Sequence, residues 1–272
     1  MAKLEATTGH FKNGLPYAQF GHGSRNLIIF NGLDLKHEPP SSLLLRMVMN
    51  SFQCLTKDYT VYLINRKRGL PSGYSIKDMS EDYATLIMDE LGGPVDIIGV
   101  SAGAVMAARF AIDHPDLVRH LIIAGAAHRL SDEVRELMMR VRDLARQGKG
   151  RAVCTTMIGR VYSNGVKKYL FKSLMWLFPS FMFSSTAGPS DGVVEIEAIL
   201  KADFADQLAN IKVPTLVADG DQDFFAPAVL IHETADRIPN AKLILYPGLG
   251  HDAAYSKRLA NDVLAFITED DA

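Results

Sequence analysis

Six short apolar runs, each closed by turn residues and spaced by helix-length stretches, limit what this 272-residue chain can fold into. They occupy residues 27–30, 59–64, 95–98, 120–125, 214–218 and 241–246. Runs of this length suit strands buried on both faces. Their alternation with helices predicts a mostly parallel central sheet with helices on both faces, an α/β fold. The segment before them, to about Asn26, reads as a strand pair with Gly14 and Gly21-His22-Gly23-Ser24 at its turns. That reading leaves His22 exposed in a hairpin turn, outside any site. No internal repeat is visible.

Helices are predicted from about Pro40 to Cys54, capped by Ser41 or Ser42, from about Ser80 to Leu91, and from Ala102 to His114. The alternation stops near Ala127 and resumes near Lys212. Between them, Val134, Leu137, Met138, Val141 and Leu144 recur at helical spacing, and Gly148 is a natural stop. An all-helical insertion between two strands of a parallel sheet has the form of a lid. The expected division is a core of residues 1–127 and 208–272 with a helical cap of residues 128–207.

Within this frame one strand runs into Gly99-Val-Ser-Ala-Gly103 and then into a small-residue helix. A serine nucleophile has to project from a tight strand-to-helix turn whose strain leaves no room for bulky neighbours, and the two glycines supply that room. Two further strands end in polar loops, Asp219-Gly-Asp-Gln-Asp223 and Pro247-Gly-Leu-Gly-His251. Nucleophile, acid and base then follow in that chain order as Ser101, Asp223 and His251. His251 would take the proton of Ser101 and return it to the leaving group, while Asp223 would orient the imidazole. The amide of Ala102, at the start of the helix, points outward and suits one donor of an oxyanion hole.

In these three motifs, and over nearly the whole chain from about Gly9 to Phe266, the sequence resembles the α/β-hydrolase superfamily. The likeness is to the serine hydrolase and esterase branch with a helical cap inserted after the sixth strand. In that resemblance the acid follows a Gly-x-x-Asp pattern, here Gly220 and Asp223, with Asp221 as the rival. The second oxyanion donor follows a His-Gly pair, here Asn31-Gly32, so the resemblance assigns it to the amide of Leu33. It implies a carboxylic ester, lactone or thioester as substrate. The same triad also serves carbon–carbon bond hydrolysis, perhydrolysis or acyl transfer, and a slow ligand-binding receptor could be built on the scaffold. Serine at the elbow argues against the dehalogenase and epoxide-hydrolase branches, which use aspartate there.

Composition narrows the partners. Net charge is −2, from 29 basic and 31 acidic residues, which gives no electrostatic case for nucleic acid. The short cluster Arg66-Lys67-Arg68 reads as a solvated loop. The aromatic and apolar stretch around Phe171, Met175, Trp176 and Phe178 points to an apolar substrate pocket under the cap. No apolar run is long enough to span a membrane, and the apolar stretch of residues 174–183 is broken by Pro179. Two cysteines and a polar N-terminus suit a cytoplasmic enzyme. The eight histidines show no metal-ligand spacing, and no phosphate-binding glycine loop is present, so neither metal nor cofactor is expected. Nothing in the pattern sets an oligomeric state.

Overall fold

The structure, a computed structural model, describes residues 5–161 and 190–269. Eight strands form one sheet: β1 (Ala6–His10), β2 (Pro16–Phe20), β3 (Arg25–Phe30), β4 (Tyr59–Ile64), β5 (Val95–Val100), β6 (Val118–Ala124), β7 (Thr215–Gly220) and β8 (Lys242–Tyr246). Their order across the sheet is β1-β2-β4-β3-β5-β6-β7-β8. The β1–β2 and β2–β4 pairs are antiparallel and all others parallel. The predicted fold class is therefore the observed one.

The first turn is the hairpin around Gly14, where Phe11 N–H donates to Leu15 O. The second predicted turn is not a hairpin. Gly21–Ser24 crosses between β2 and β3, which are separated in the sheet by β4. The crossing demands glycine: a Cβ at Gly23 would lie 1.8 Å from the carbonyl carbon of Asp58.

Helices cover both faces. α1 (Ser42–Ser51), α2 (Ile76–Leu86), α3 (Ala102–Asp113), α4 (Asp132–Arg146), α5 (Gly150–Val161), α6 (Ser190–Leu200), α7 (Ala228–Arg237) and α8 (Lys257–Glu269) are the α-helices of the described residues. Alternate residues of each central strand face opposite layers, as a period of two requires. Ile28, Phe30, Ile97, Leu121 and Val217 pack with α2, α3 and α7. Leu27, Ile29, Ile98, Ile122 and Leu216 pack with Val48 of α1 and with Leu259, Val263 and Ile267 of α8. α2 begins earlier than its apolar spacing indicates. Ser75 caps it, with Asp78 completing a reciprocal capping box, and a π-helical turn over Ile87–Leu91 ends it.

Between β6 and β7 run α4, α5 and α6, which share a small separate core of Val134, Met138, Val141, Val153, Val193 and Ile196. Leu35 from the loop after β3 joins that core, and Phe224 and Phe225 from the loop after β7 pack against it. This cluster therefore roofs the carboxyl ends of the strands, where the three sequence motifs converge. No helix among the described residues is long and apolar enough to cross a membrane.

Candidate active site

The strand β5 ends one residue before Ser101, and α3 begins one residue after it. Ser101 is forced into φ 54°, ψ −122°, a region that residues other than glycine rarely occupy. Close packing enforces the turn. A Cβ at Gly103 would sit 2.0 Å from Phe30 O, and one at Gly99 would sit 2.4 Å from the Cα of Ala104. The backbone of the elbow thus lies directly against β3.

Two loops bring the other groups to this point. His251 opens a 3-10 turn (His251–Tyr255) after β8, and Asp223 lies buried in the loop after β7. His251 Nε2 stands 2.9 Å from Ser101 Oγ, and Nδ1 stands 2.6 Å from Asp223 Oδ2. An ionised carboxylate only accepts hydrogen bonds, so Nδ1 carries the proton and Nε2 is left to accept from the serine hydroxyl. The other carboxylate oxygen of Asp223 accepts from Phe225 N–H at 2.7 Å, which fixes the rotamer. Asp221, the rival acid, is exposed and accepts from Gly248 N–H at 2.7 Å. His251, oriented by Asp223, can take a proton off the Ser101 hydroxyl and return it to a leaving group.

Ala102 and Leu33 both line a cavity of about 50 Å³ beside Ser101, with Val105, Leu130, Val134, Met138 and Met157 among its other walls. The N–H of Ala102 is at the first position of α3, where the helix offers it no partner. Four other pocket residues expected from the sequence, Phe171, Met175, Trp176 and Phe178, lie outside the described residues. Among the described residues no group of three or more His, Cys, Asp or Glu stands where it could hold a metal ion.

The profile of the alpha/beta hydrolase fold family matches residues 37–257. The chain belongs to the α/β-hydrolase fold family. Among individual proteins it is similar to the putative carbamate hydrolase RutD of Serratia proteamaculans, 24% identical over a 200-residue alignment that covers 68% of this chain and 69% of that one. Its fold is similar to that of MGS-M2, an alpha/beta hydrolase enzyme from a Medee basin deep-sea metagenome library. The TM-score is 0.80 at 21% identity, over 93% of this chain and 94% of that one. The enol-lactonase of Burkholderia xenovorans LB400 has the same fold, with a TM-score of 0.75 at 19% identity over 97% and 96% of the two chains.

Within this α/β-hydrolase chain, several polar residues at the site escaped sequence reading. Arg66 is the main correction. It does not sit in a solvated loop but is buried, and it donates to Asn31 O and Gly32 O, both at 2.7 Å. Of its two basic neighbours, Lys67 pairs with Asp82 and Arg68 is exposed near Glu38. Tyr255 donates its hydroxyl proton to Asn31 Oδ1 at 2.6 Å and accepts from Gly32 N–H at 3.4 Å, and burial pushes its phenol up to about 12. Asp219 is fully buried on β7, where its Oδ1 accepts from Gly220 N–H at 2.7 Å and its Oδ2 has no hydrogen-bond partner among the described residues. Burial first, then the charge of Asp223, pushes the Asp219 carboxyl well above the usual range. It therefore keeps its proton into a pH range where exposed carboxylates have lost theirs.

Proposed function

We propose that the protein is a serine hydrolase cleaving small apolar carboxylic esters or lactones through an acyl-enzyme on Ser101. The observation that carries this reading is the unbroken hydrogen-bonded chain from Ser101 Oγ through His251 to Asp223 Oδ2, opening on an apolar cavity. Ser101 attacks the carbonyl as His251 takes its proton, the amides of Ala102 and Leu33 receive the developing oxyanion, and water activated by His251 releases the acid. Asp223 holds the imidazole in its tautomer throughout. The helices α4 to α6 act as a cap that encloses the acyl group. The names of similar proteins, a carbamate hydrolase and an enol-lactonase, support attack on an acyl carbon bonded to a heteroatom.

The described walls of the cavity leave about 50 Å³ beside Ser101, room for a short acyl group. Steady-state hydrolysis of p-nitrophenyl esters from acetate to octanoate is expected to peak at the short end. An optimum at octanoate would contradict the size assignment. A single stoichiometric burst with every ester would replace the hydrolase reading with that of a slow binding protein.

The base sets the pH dependence. Burial acts to lower the proton affinity of His251, but the charge of Asp223 and the hydrogen bond to it outweigh burial and raise it above the ordinary value. A raised value keeps the imidazolium to higher pH, and the imidazolium cannot accept the serine proton. The specificity constant kcat/KM is therefore expected to fall about tenfold per pH unit on the acid side, from a midpoint above the usual histidine value of about 6.5. A pH–rate profile with a midpoint near 5 would contradict this.

A further inference from the structure

Given the proposed hydrolase reading, on which this inference rests, we propose that Arg66 is the positioning residue of the oxyanion hole and that Glu195 of α6 holds it in place. The backbone makes the first part of the argument. Gly32 C=O and Leu33 N–H belong to one peptide group, and in a trans peptide they point in opposite directions. Arg66 Nη2 grips that carbonyl at 2.7 Å, and Nη1 grips the preceding one, Asn31 O, at 2.7 Å. The Leu33 N–H is thereby aimed away from the guanidinium. Gly32 itself packs on the nucleophile: a Cβ there would lie 3.4 Å from Ser101 Cβ. A cation on the carbonyl side also polarises the peptide, which strengthens its N–H as a donor.

The second part is the anchoring of Arg66. Its Nη2 lies 2.5 Å from Glu195 Oε1, and both side chains are buried. The other oxygen, Glu195 Oε2, lies 3.0 Å from His37 Nε2, and His37 Nδ1 lies 2.9 Å from Lys67 O. One helical turn before Glu195, Asp191 accepts from Gly69 N–H and Leu70 N–H, both at 2.9 Å. α6 is thus tied through two carboxylates on one face to the loop that carries Arg66. Docking of this helix and correct aim of the oxyanion donor are one event.

The ion pair is poorly explained as a stabilising device. Among the described residues Arg66 Nε has no acceptor, so the guanidinium is not fully matched by its surroundings. Buried pairs of this kind are often no more stable than neutral replacements. Such a departure from good packing is expected where function requires it.

The test is the double variant Arg66→Met/Glu195→Gln, which removes both charges of the pair together. It is expected to fold, with a lowered melting temperature because Asn31 O and Gly32 O lose their donor. Its kcat per titrated active site should fall roughly 10- to 100-fold, less than or equal to the loss of one oxyanion donor. KM should stay within about threefold and the acid limb of the pH profile should not move, because neither substrate binding nor His251 is altered. Unchanged kcat per site would overturn the proposal, as would a fall matched by loss of folded protein. The rate of Ser101 labelling by a fluorophosphonate probe, whose phosphoryl oxygen fills the same hole, supplies the comparison if no ester is turned over. Equal labelling rates in variant and wild type would then sink this inference alone. A wild-type Ser101 that takes no label would sink it together with the hydrolase reading.

Discussion

Replacing Ser101 by alanine is expected to abolish multiple turnover, with kcat falling by roughly 10⁶, while the protein remains folded. The expectation has two parts. Loss of Oγ removes the nucleophile at the point where His251 and the cavity meet, so no acyl-enzyme forms. Alanine nonetheless enters the elbow with the same Cβ, so the close contacts of Gly99 and Gly103 with their neighbours are undisturbed. The measurement is steady-state hydrolysis of p-nitrophenyl acetate by both proteins, with circular dichroism as the control for folding. Turnover by the alanine variant at more than a few per cent of wild type would show that the chemistry occurs elsewhere.

The second large effect separates two neighbouring carboxylates. Asp223→Asn is expected to lower kcat by about 10⁴, by analogy with the protease triad, because an amide can offer a hydrogen to Nδ1 and turn the imidazole to the wrong tautomer. Asp221→Asn should leave kcat within about twofold, since its exposed carboxylate only receives the Gly248 N–H and an amide oxygen accepts as well. Parallel kinetics on the two variants read the contrast directly. If the larger loss followed Asp221→Asn, the acid would be wrongly assigned and the loop after β7 would have to rearrange during the reaction.

The parts of this site that were legible in the sequence are those with a local cause. A serine between two glycines, at the junction of an apolar run and a small-residue helix, announces a strained turn by itself. A histidine and an aspartate at the ends of later strands converge because a parallel sheet gathers its carboxyl ends on one edge. The polar network behind them has no such signature. Arg66 sits among three consecutive cations, a pattern that almost always faces water. Its counter-charge, Glu195, lies on the far side of the insertion, so burial follows from a tertiary contact that spacing does not encode. Tyr255 likewise reads as one more aromatic beside a helix, and Asp219 as one carboxylate among three. The start of α2 was legible and missed, because Ser75 and Asp78 form a capping box that apolar periodicity alone passes over. The crossing at Gly21–Ser24 was misread because consecutive strands are usually neighbours, and here β4 lies between them.

The buried carboxyl of Asp219 gives the fold a tolerance that is lopsided in pH. A group whose proton affinity rises on folding stabilises the folded state fully below its unfolded value, and that contribution is lost as the pH climbs through the folded one. Rising pH therefore works against β7 from within, because loss of the Asp219 proton puts a charge in a buried position beside a second carboxyl group. The strand end most exposed to that repulsion is the one that holds the acid of the proposed triad. Loosening as that proton is lost should begin at the proposed triad and spread outward, whereas falling pH first protonates His251.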